Sequence, residues 1–258
     1  IVTTKKGKKG QVSIELDTNY GFDKVINEVD WAAARQYVDI VNRANDTDGV
    51  PRKPANDTEF DPNYTSNLYD DSFRTAGVSN TNLRMSGGGD HSAYALSLSH
   101  LDKEGIVKSS EFERTTARIN TSLDKGHFKM EANVGLTRTI NRPNVYFNKE
   151  RNLLPTIRLR NDAGEWSADD RADRGITTAY GAFYGQGTIT NELALAELEQ
   201  RKVKTNRVIG NIAGSYEIIE GLTYKLNLGV ESAARNNFRF SPDEQVIYDG
   251  SNKATSEF

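Results

Sequence analysis

The run Asn82-Leu-Arg-Met-Ser-Gly-Gly-Gly-Asp-His91 leads directly into Ser92-Ala-Tyr-Ala-Leu-Ser-Leu-Ser-His-Leu101. On both sides of the glycines, apolar side chains stand at every second position. A period of two residues is typical of a β-strand with one apolar and one polar face. This stretch therefore predicts two strands, near 81–86 and 92–101, joined by a glycine turn.

The same alternation recurs along much of the chain. It is clearest at 128–136, where five apolar side chains share one face and polar or small residues share the other. The Asp124-Lys-Gly126 segment before it has the composition of a tight hairpin turn. Seven strands are predicted in all, and the remaining segments are 11–22, 111–123, 207–216 and 222–230.

Two segments show helical spacing instead. Within 25–44, apolar residues that include Trp31 and Val38 recur at intervals of three or four, ahead of a polar breaker ending at Gly49. Trp31 is expected to anchor this helix in a local core. Residues 193–203 also have a helical pattern.

The composition excludes several classes of protein. Hydrophobic residues make up 36% of the chain and the mean hydropathy is −0.66, which is low for a globular core. A net charge of −3 is unlike the strongly basic surface of a nucleic-acid-binding protein, so no nucleic-acid partner is expected. With no cysteine and three histidines at unsuitable spacing, no metal site or cofactor is expected.

An enzyme is not expected either. Asp90, His91 and Ser92 are adjacent in sequence, whereas a catalytic triad depends on residues that converge in space. A turn explains these three residues better.

The predicted strands are separated by connections that alternate between long and short. Long loops are expected near 23–80, 140–206 and 234–258, and a moderate loop near 102–110. Such alternation is typical of an outer-membrane β-barrel, whose strands are apolar outside and polar inside. A soluble β-sandwich remains the alternative, because one amphipathic hairpin looks the same in both. No run approaches the roughly 20 apolar residues of a membrane helix.

Several segments resemble one protein family. The opening Ile1-Val-Thr-Thr-Lys-Lys-Gly-Lys8 looks like the end of the plug domain in TonB-dependent outer-membrane transporters of the SusC/RagA type. Four further segments are similar to the same family in the same order, namely 70–88, 94–118, 191–199 and 207–229. The chain departs from the family pattern at Glu192, where proline is usual, at Gly77-Val78 in place of Ala-Pro, and in lacking a tryptophan before Phe73.

The resemblance implies a fold and a function. Residues 1–10 are expected to end the plug and 11–258 to form the N-terminal part of an all-β, antiparallel transmembrane barrel of about 22 strands. Such a protein imports a bulky nutrient, an oligosaccharide or peptide, across the outer membrane of a Gram-negative bacterium of the Bacteroidota. A SusD-like lipoprotein is expected to cover the barrel, and the TonB complex to act through plug residues upstream of this chain. The chain is accordingly expected to be a piece of a longer protein.

Three sets of residues receive roles as hypotheses. Apolar strand residues are expected to contact outer-membrane lipid: Phe128, Met130, Val134, Leu136, Tyr224, Leu226 and Leu228. Polar strand residues are expected to face the lumen and contact the plug or the substrate: Arg114, Arg118, Asn120, Lys129, Glu131, Lys225 and Asn227. Loop aromatics are expected to pack within their own loops or to contact substrate or the lipoprotein: Tyr64, Tyr69, Tyr146, Phe147, Trp166, Tyr180 and Tyr184.

A soluble β-rich carbohydrate-binding or adhesion module is the alternative function. It would use the same loop aromatics without a membrane. The two hypotheses differ at strands 128–136 and 222–230, whose apolar faces contact lipid in the first and a second sheet in the second.

Overall fold

A computed structural model describes most of the chain. The described residues are 10–27, 30–66, 68–144, 154–161, 163–166, 175–176, 178, 183, 191–241 and 255–257. The predicted plug segment 1–10 lies outside them, apart from Gly10.

One antiparallel sheet dominates the molecule. Its strands are hydrogen-bonded in the order of the sequence, β1 to β8, so each strand pairs with its neighbours along the chain. The prediction of seven strands is confirmed, and a three-residue strand extends the sheet by one. The strands are β1 (Gly10–Asp23), β2 (Ala76–Gly88), β3 (Ser92–Glu104), β4 (Glu111–Lys125), β5 (Phe128–Arg142), β6 (Gln200–Ile219), β7 (Leu222–Ser241) and β8 (Thr255–Glu257).

The pairing register aligns the predicted faces of all the long strands. It is continuous except for irregularities near Gly10–Ser13 and Glu217–Ile219. Residues directly opposite each other point to the same side of a sheet, so the faces can be followed from strand to strand. One row across seven strands consists only of apolar residues and glycine: Ile14, Met85, Leu96, Ile119, Val134, Gly210 and Val230. This central apolar row defines the apolar face of the sheet, and the opposite side is its polar face.

Short turns connect the strands at one end of the sheet. Strands β4 and β5 are joined by Gly126 and His127, and β6 and β7 by Glu220 and Gly221. Gly126 and Gly221 have positive φ values of 61° and 81°. Glycine adopts this left-handed conformation without steric penalty, and two-residue hairpins need it to match the twist of the strands.

The other end of the sheet carries the longer connections, and these are shorter than predicted. Strand β2 already begins at Ala76, β6 begins at Gln200 and β7 continues to Ser241, inside the predicted loops 23–80, 140–206 and 234–258. The moderate loop 102–110 likewise shrinks to 105–110. Backbone pairing does not require apolar side chains, so the ladder continues after the apolar alternation has stopped.

The helices lie in the long loops. They are α1 (Ala34–Asp48), a 3₁₀ turn (Pro54–Asn56), α2 (Leu68–Ser72) and α3 (Glu192–Leu198). Gly49 ends α1 in the left-handed conformation, with φ of 67°, as the breaker predicted. The prediction for Trp31 is wrong, because it precedes the helix and is 51% exposed. None of the helices in the described part of the chain has the length and apolar character needed to cross a membrane.

Buried apolar side chains are concentrated in the loops and not along the sheet. Five of them form a core with three partly buried neighbours. We call this group the loop cluster: Ala55, Ile157, Leu159, Phe183 and Leu193, with Leu154, Trp166 and Ile176 against them.

Candidate functional site

The register places all seven predicted lumen residues on the polar face. Arg118, for example, is aligned with Arg84 on one side through Ser97, and with Gly135 and Ile209 on the other. Arg114 lies four residues from Arg118 along β4, towards the loop end. The remaining members occupy the same face nearer the turns: Asn120, Lys129, Glu131, Lys225 and Asn227.

Two of the predicted residues border a depression in the polar face. Arg118 and Asn120 line this hollow of about 220 Å³, together with Asn133, Asn211 and Ile209. Its floor is the buried Gly135. A Cβ at that position would lie 3.1 Å from Ile209 Cγ2 and 3.8 Å from Arg118 Nε, so the absence of a side chain keeps the hollow open.

Asparagine side chains dominate this part of the polar face. Asn120, Asn133 and Asn211 are directly aligned on three neighbouring strands. Asn211 Nδ2 donates a hydrogen bond of 2.5 Å to Asn227 Oδ1 on the next strand. Asn120 Oδ1 is buried and has no hydrogen-bond partner among the described residues. A carboxamide both donates and accepts, so this row can bind hydroxyl groups or peptide amides without a net charge.

Other polar-face charges are paired with each other. Arg84 Nη1 lies 3.4 Å from Glu15 Oε1, and Lys129 Nζ lies 3.2 Å from Asp124 Oδ2. Arg207 also forms an ion pair with Glu231. Exposed pairs of this kind contribute at most about 1 kcal/mol, so their main effect is on the pattern of charge.

Three residues that line the depression, Asn133, Ile209 and Asn211, are not among the predicted lumen residues. Asn133 was detectable, because it shares the alternating face of Lys129 and Glu131 on β5. Ile209 was not, because an apolar side chain on the polar face breaks the rule by which the faces were assigned. Asn211 depends on the β5–β6 register, which no single strand reveals.

Of the seven predicted loop aromatics, the structure describes Tyr64, Tyr69 and Trp166. Tyr146, Phe147, Tyr180 and Tyr184 lie outside the described residues. The ring of Tyr69 packs against that of Phe73 at a centroid distance of 4.7 Å.

The other two aromatics hold arginines of the second long loop. The Arg158 guanidinium lies 5.1 Å from the Tyr64 ring centroid and pairs with Asp61. The Arg160 guanidinium lies 3.5 Å from the Trp166 ring. Cations over aromatic faces are attracted by the ring quadrupole, so both contacts stabilise the loop structure. The side chain of Tyr64 thus contacts a different loop, and its predicted contact with substrate or lipoprotein stays a prediction.

Hydrogen bonds to backbone groups also join the described parts of the two long loops, 24–75 and 143–199. Ser66 N donates to Pro155 O at 3.0 Å, and Tyr64 Oη donates to Ile157 O at 3.3 Å. The buried Asn191 begins α3, since its Oδ1 accepts from Ala194 N and its Nδ2 donates to Leu159 O, both at 3.0 Å. The described parts of the loops 24–75 and 143–199 are therefore packed against each other.

Two carboxyl groups in these loops have altered acidity. Burial raises the pKa of Asp71 in α2, although nearby Lys108 opposes this effect. A hydrogen bond from Arg52 lowers the pKa of Asp46. In the described part of the chain, no three histidine or acidic side chains are arranged to hold a metal ion.

A second cavity, of about 370 Å³, lies where α3 meets the loop end of the sheet. Charged residues of both signs line it, including Arg142, Glu199 and Lys202. Arg142 bonds to Glu111 at 2.5 Å and to Glu113 at 2.9 Å, and the buried Glu199 holds Arg201 and Arg239. These ion pairs stabilise the rim.

Comparison with known proteins supplies relatives, although no family model matches the chain. TonB-dependent receptor P3 of Formosa agariphila is 29% identical over 260 residues, which cover 94% of this chain. SusC of Bacteroides thetaiotaomicron, a TonB-dependent receptor, is 26% identical over 84% of the chain. This chain is a relative of the TonB-dependent receptors of the SusC/RagA type. It spans 23% and 22% of the lengths of these two relatives.

Solved structures show the same fold. The RagAB peptide transporter matches with a TM-score of 0.72 over 96% of this chain and 31% of that chain, at 18% identity. The RagAB peptide importer in its open-open state matches with a TM-score of 0.71 over 98% of this chain. The sheet of this SusC/RagA relative is accordingly a segment of an antiparallel transmembrane β-barrel.

Proposed function

We propose that this chain forms part of the wall and outer loops of an outer-membrane transporter that imports a bulky nutrient, an oligosaccharide or a peptide. A SusD-like lipoprotein covers the barrel, and a TonB complex supplies energy. The relatives named as TonB-dependent receptors support this proposal, as does the likeness to a peptide importer.

The observation that carries the proposal is the central apolar row. Seven consecutive strands contribute to it, and its members Ile119, Val134 and Val230 remain exposed. A water-soluble protein rarely exposes so large a continuous apolar surface. Contact with lipid acyl chains removes such an apolar face from water. Lipid cannot hydrogen-bond the backbone groups at the edges of a sheet, and closure into a barrel pairs those groups with other strands.

The polar face then lines the lumen of the barrel. Charged and amide side chains there can bind the plug or a polar substrate in transit. The depression around Gly135 is the part of this face best suited to a ligand, because Arg118 and the amide side chains of Asn120, Asn133 and Asn211 line it. Guanidinium and amide groups together suit hydroxyl, carbonyl and carboxylate groups.

The alternative, a soluble carbohydrate-binding or adhesion module, requires the apolar faces of 128–136 and 222–230 to pack on a second sheet. Among the described residues all the strands belong to one sheet, and Leu228 on this face is 59% exposed. The loop aromatics Tyr64 and Trp166 are already engaged by arginines, which further weakens that alternative.

Uptake by living cells tests the proposal. Deletion of the gene that encodes this sequence is expected to abolish uptake of one oligosaccharide or peptide, supplied in labelled form from a panel of both. A protonophore should have the same effect, because TonB-dependent import requires the proton gradient. Unchanged uptake of every compound, or recovery of the protein only in the soluble fraction, would contradict the proposal.

A pair of glycine variants tests the depression. Gly135→Leu fills the hollow on the polar face and is expected to reduce uptake at least tenfold. Gly214→Leu is the matched control, because a Cβ at Gly214 on the apolar face meets nothing within 4 Å. Both variants must reach the outer membrane in equal amounts. Equal uptake by the two would exclude the depression from the transport route.

A further inference from the structure

A group of cations lies on the apolar face beyond the apolar rows, towards the loop end. On β5 the side chain two residues beyond Leu136 on this face is Arg138. On β6, Lys204 and Lys202 follow Val208 on the same face. At about 3.3 Å per residue, Arg138 lies about 7 Å beyond Leu136, and Lys204 and Lys202 lie about 13 and 20 Å beyond Val208. Strand tilt shortens these heights, and Ile140 follows Arg138 on the same face.

The three cations are close enough to act together. Lys204 is directly opposite Ile140, the next residue on this face after Arg138. Diagonal neighbours on adjacent strands are about 7–8 Å apart, and so are successive residues on one face of a strand. Long, flexible side chains at these spacings can converge on one anionic group.

The nearest acidic residues do not neutralise this group. Glu111 and Glu113 on β4 both bond to Arg142, at 2.5 and 2.9 Å. Asp102 and Glu104 lie on β3, two strands from β5. Glu197 and Glu199 line a cavity with Lys202, but Glu197 pairs with Arg160, and Glu199 pairs with Arg201 and Arg239. Within the described residues, Arg138, Lys202 and Lys204 form no ion pair. The positive charge is therefore localised on β5 and β6.

We propose that Arg138, Lys202 and Lys204 bind the phosphorylated head group of a lipid in the outer leaflet of the outer membrane. Charge complementarity favours a phosphate, which these three side chains can contact together. Leu136 and Val208, which are aligned on β5 and β6 on the turn side of these cations, provide an apolar surface for the acyl chains of the same lipid. A soluble phosphate would use the cations but not the adjoining apolar rows. This inference rests on the proposed function, because it requires the apolar face to contact lipid.

The experiment uses the intact membrane protein that carries this sequence, purified in a non-ionic detergent. Native mass spectrometry measures the binding of monophosphorylated lipid A to the wild type and to the triple variant Arg138→Gln, Lys202→Gln, Lys204→Gln. Since each cation near an anionic lipid surface contributes about 1 kcal/mol, the variant is expected to bind about 100-fold more weakly. A matched triple variant, Lys24→Gln, Arg43→Gln, Lys53→Gln, removes the same charge from the first long loop and should bind as the wild type does.

Two results would overturn the lipid-binding proposal, and a third would refute the proposed function separately. Equal binding by the two triple variants would overturn the proposal. Displacement of the lipid by millimolar inorganic phosphate would also overturn it, since the site would then recognise a free anion. The proposed function fails separately: a protein that does not insert into bilayers at all refutes the membrane barrel, whereas an inserted protein with unaltered lipid binding refutes only this site.

Discussion

Phe22 and Phe183 have the same side chain but lie in opposite surroundings. Phe22 is 68% exposed on the apolar face of the sheet, whereas Phe183 is fully buried in the loop cluster. The cluster obtains its stability from contacts within the chain, as a globular core does. The sheet leaves its apolar side chains for a partner outside the chain, which the barrel fold identifies as lipid. One polypeptide thus buries apolar side chains away from water in its loops and exposes them towards lipid on its sheet.

Loss of the buried ring is expected to have the strongest consequence for stability. Phe183→Ala should destabilise the loop cluster by about 3–5 kcal/mol, because removal of a buried ring leaves a cavity. Protease treatment of intact cells should then cleave the long loops faster. Phe22→Ala is the control, since it deletes the same ring from the exposed apolar face, where the Tyr20 ring lies 5.0 Å away between centroids. Equal cleavage of the two variants would mean that the cluster does not hold the loops.

The next effect concerns the two faces of a single strand. Leu228→Arg places a charge on the apolar face of β7 and should cost about 2–4 kcal/mol of barrel stability near the bilayer midplane. Asn227→Arg makes the same charge on the polar face and should be tolerated. The yield of heat-modifiable, folded protein in isolated outer membranes measures the difference. If Asn227→Arg were the more damaging, the assignment of the faces would be reversed.

A smaller effect is expected at the start of α3. Asn191→Ala removes both the cap of the helix and the bond to Leu159 O, and should loosen the cluster by about 1 kcal/mol or somewhat more. Asn191→Asp keeps the capping oxygen and should retain part of the stability. Hydrogen exchange of Ala194 and Leu195 amides reports the change. Wild-type protection in the alanine variant would show that the cap is dispensable.

The smallest effect is a dependence on pH at α2. Burial raises the pKa of Asp71 above its ordinary value of 3.8. A raised pKa means that the folded loop favours the protonated acid, so this contribution is complete below pH 3.8 and is lost as the pH rises through the folded pKa. Amide exchange in 68–73, corrected for intrinsic rates, should therefore show tighter packing at pH 4 than at pH 7. Asp71→Asn should remove the dependence; an unaltered profile would assign it to another group.

The sequence predicted the sheet well because its signal is local. Alternation at 128–136 and 222–230 assigned both faces, and the register of β5 and β7 preserves that assignment. The ends of the strands were missed, since Gln200–Asn206 at the start of β6 is polar and continues the ladder through its backbone alone. The start of α1 was missed because Trp31 fits the helical spacing without belonging to the helix.

The site was predictable only in part, for a related reason. The alternation along β4 alone predicts the face of Arg118 and Asn120. Their grouping with Asn211 depends on the pairing of β4 with β5 and of β5 with β6. The contact between Tyr64 and Ile157 joins residues 93 positions apart, and no local pattern encodes it.

The order of the strands has a consequence for how the molecule assembles. Because every strand pairs with its sequence neighbours, the hairpins β2–β3, β4–β5 and β6–β7 can form locally, whereas the pairing of β1 with β2 and of β5 with β6 closes the long loops 24–75 and 143–199. The contacts from Tyr64 and Ser66 to the second long loop, by contrast, span 93 and 88 residues and enclose strands β2 to β5. Ordering so long a stretch of chain costs less entropy once those four strands have paired, so we expect the loop cluster to form after the hairpins. A folded cluster then reports that the strands between its two loops have paired in the correct register.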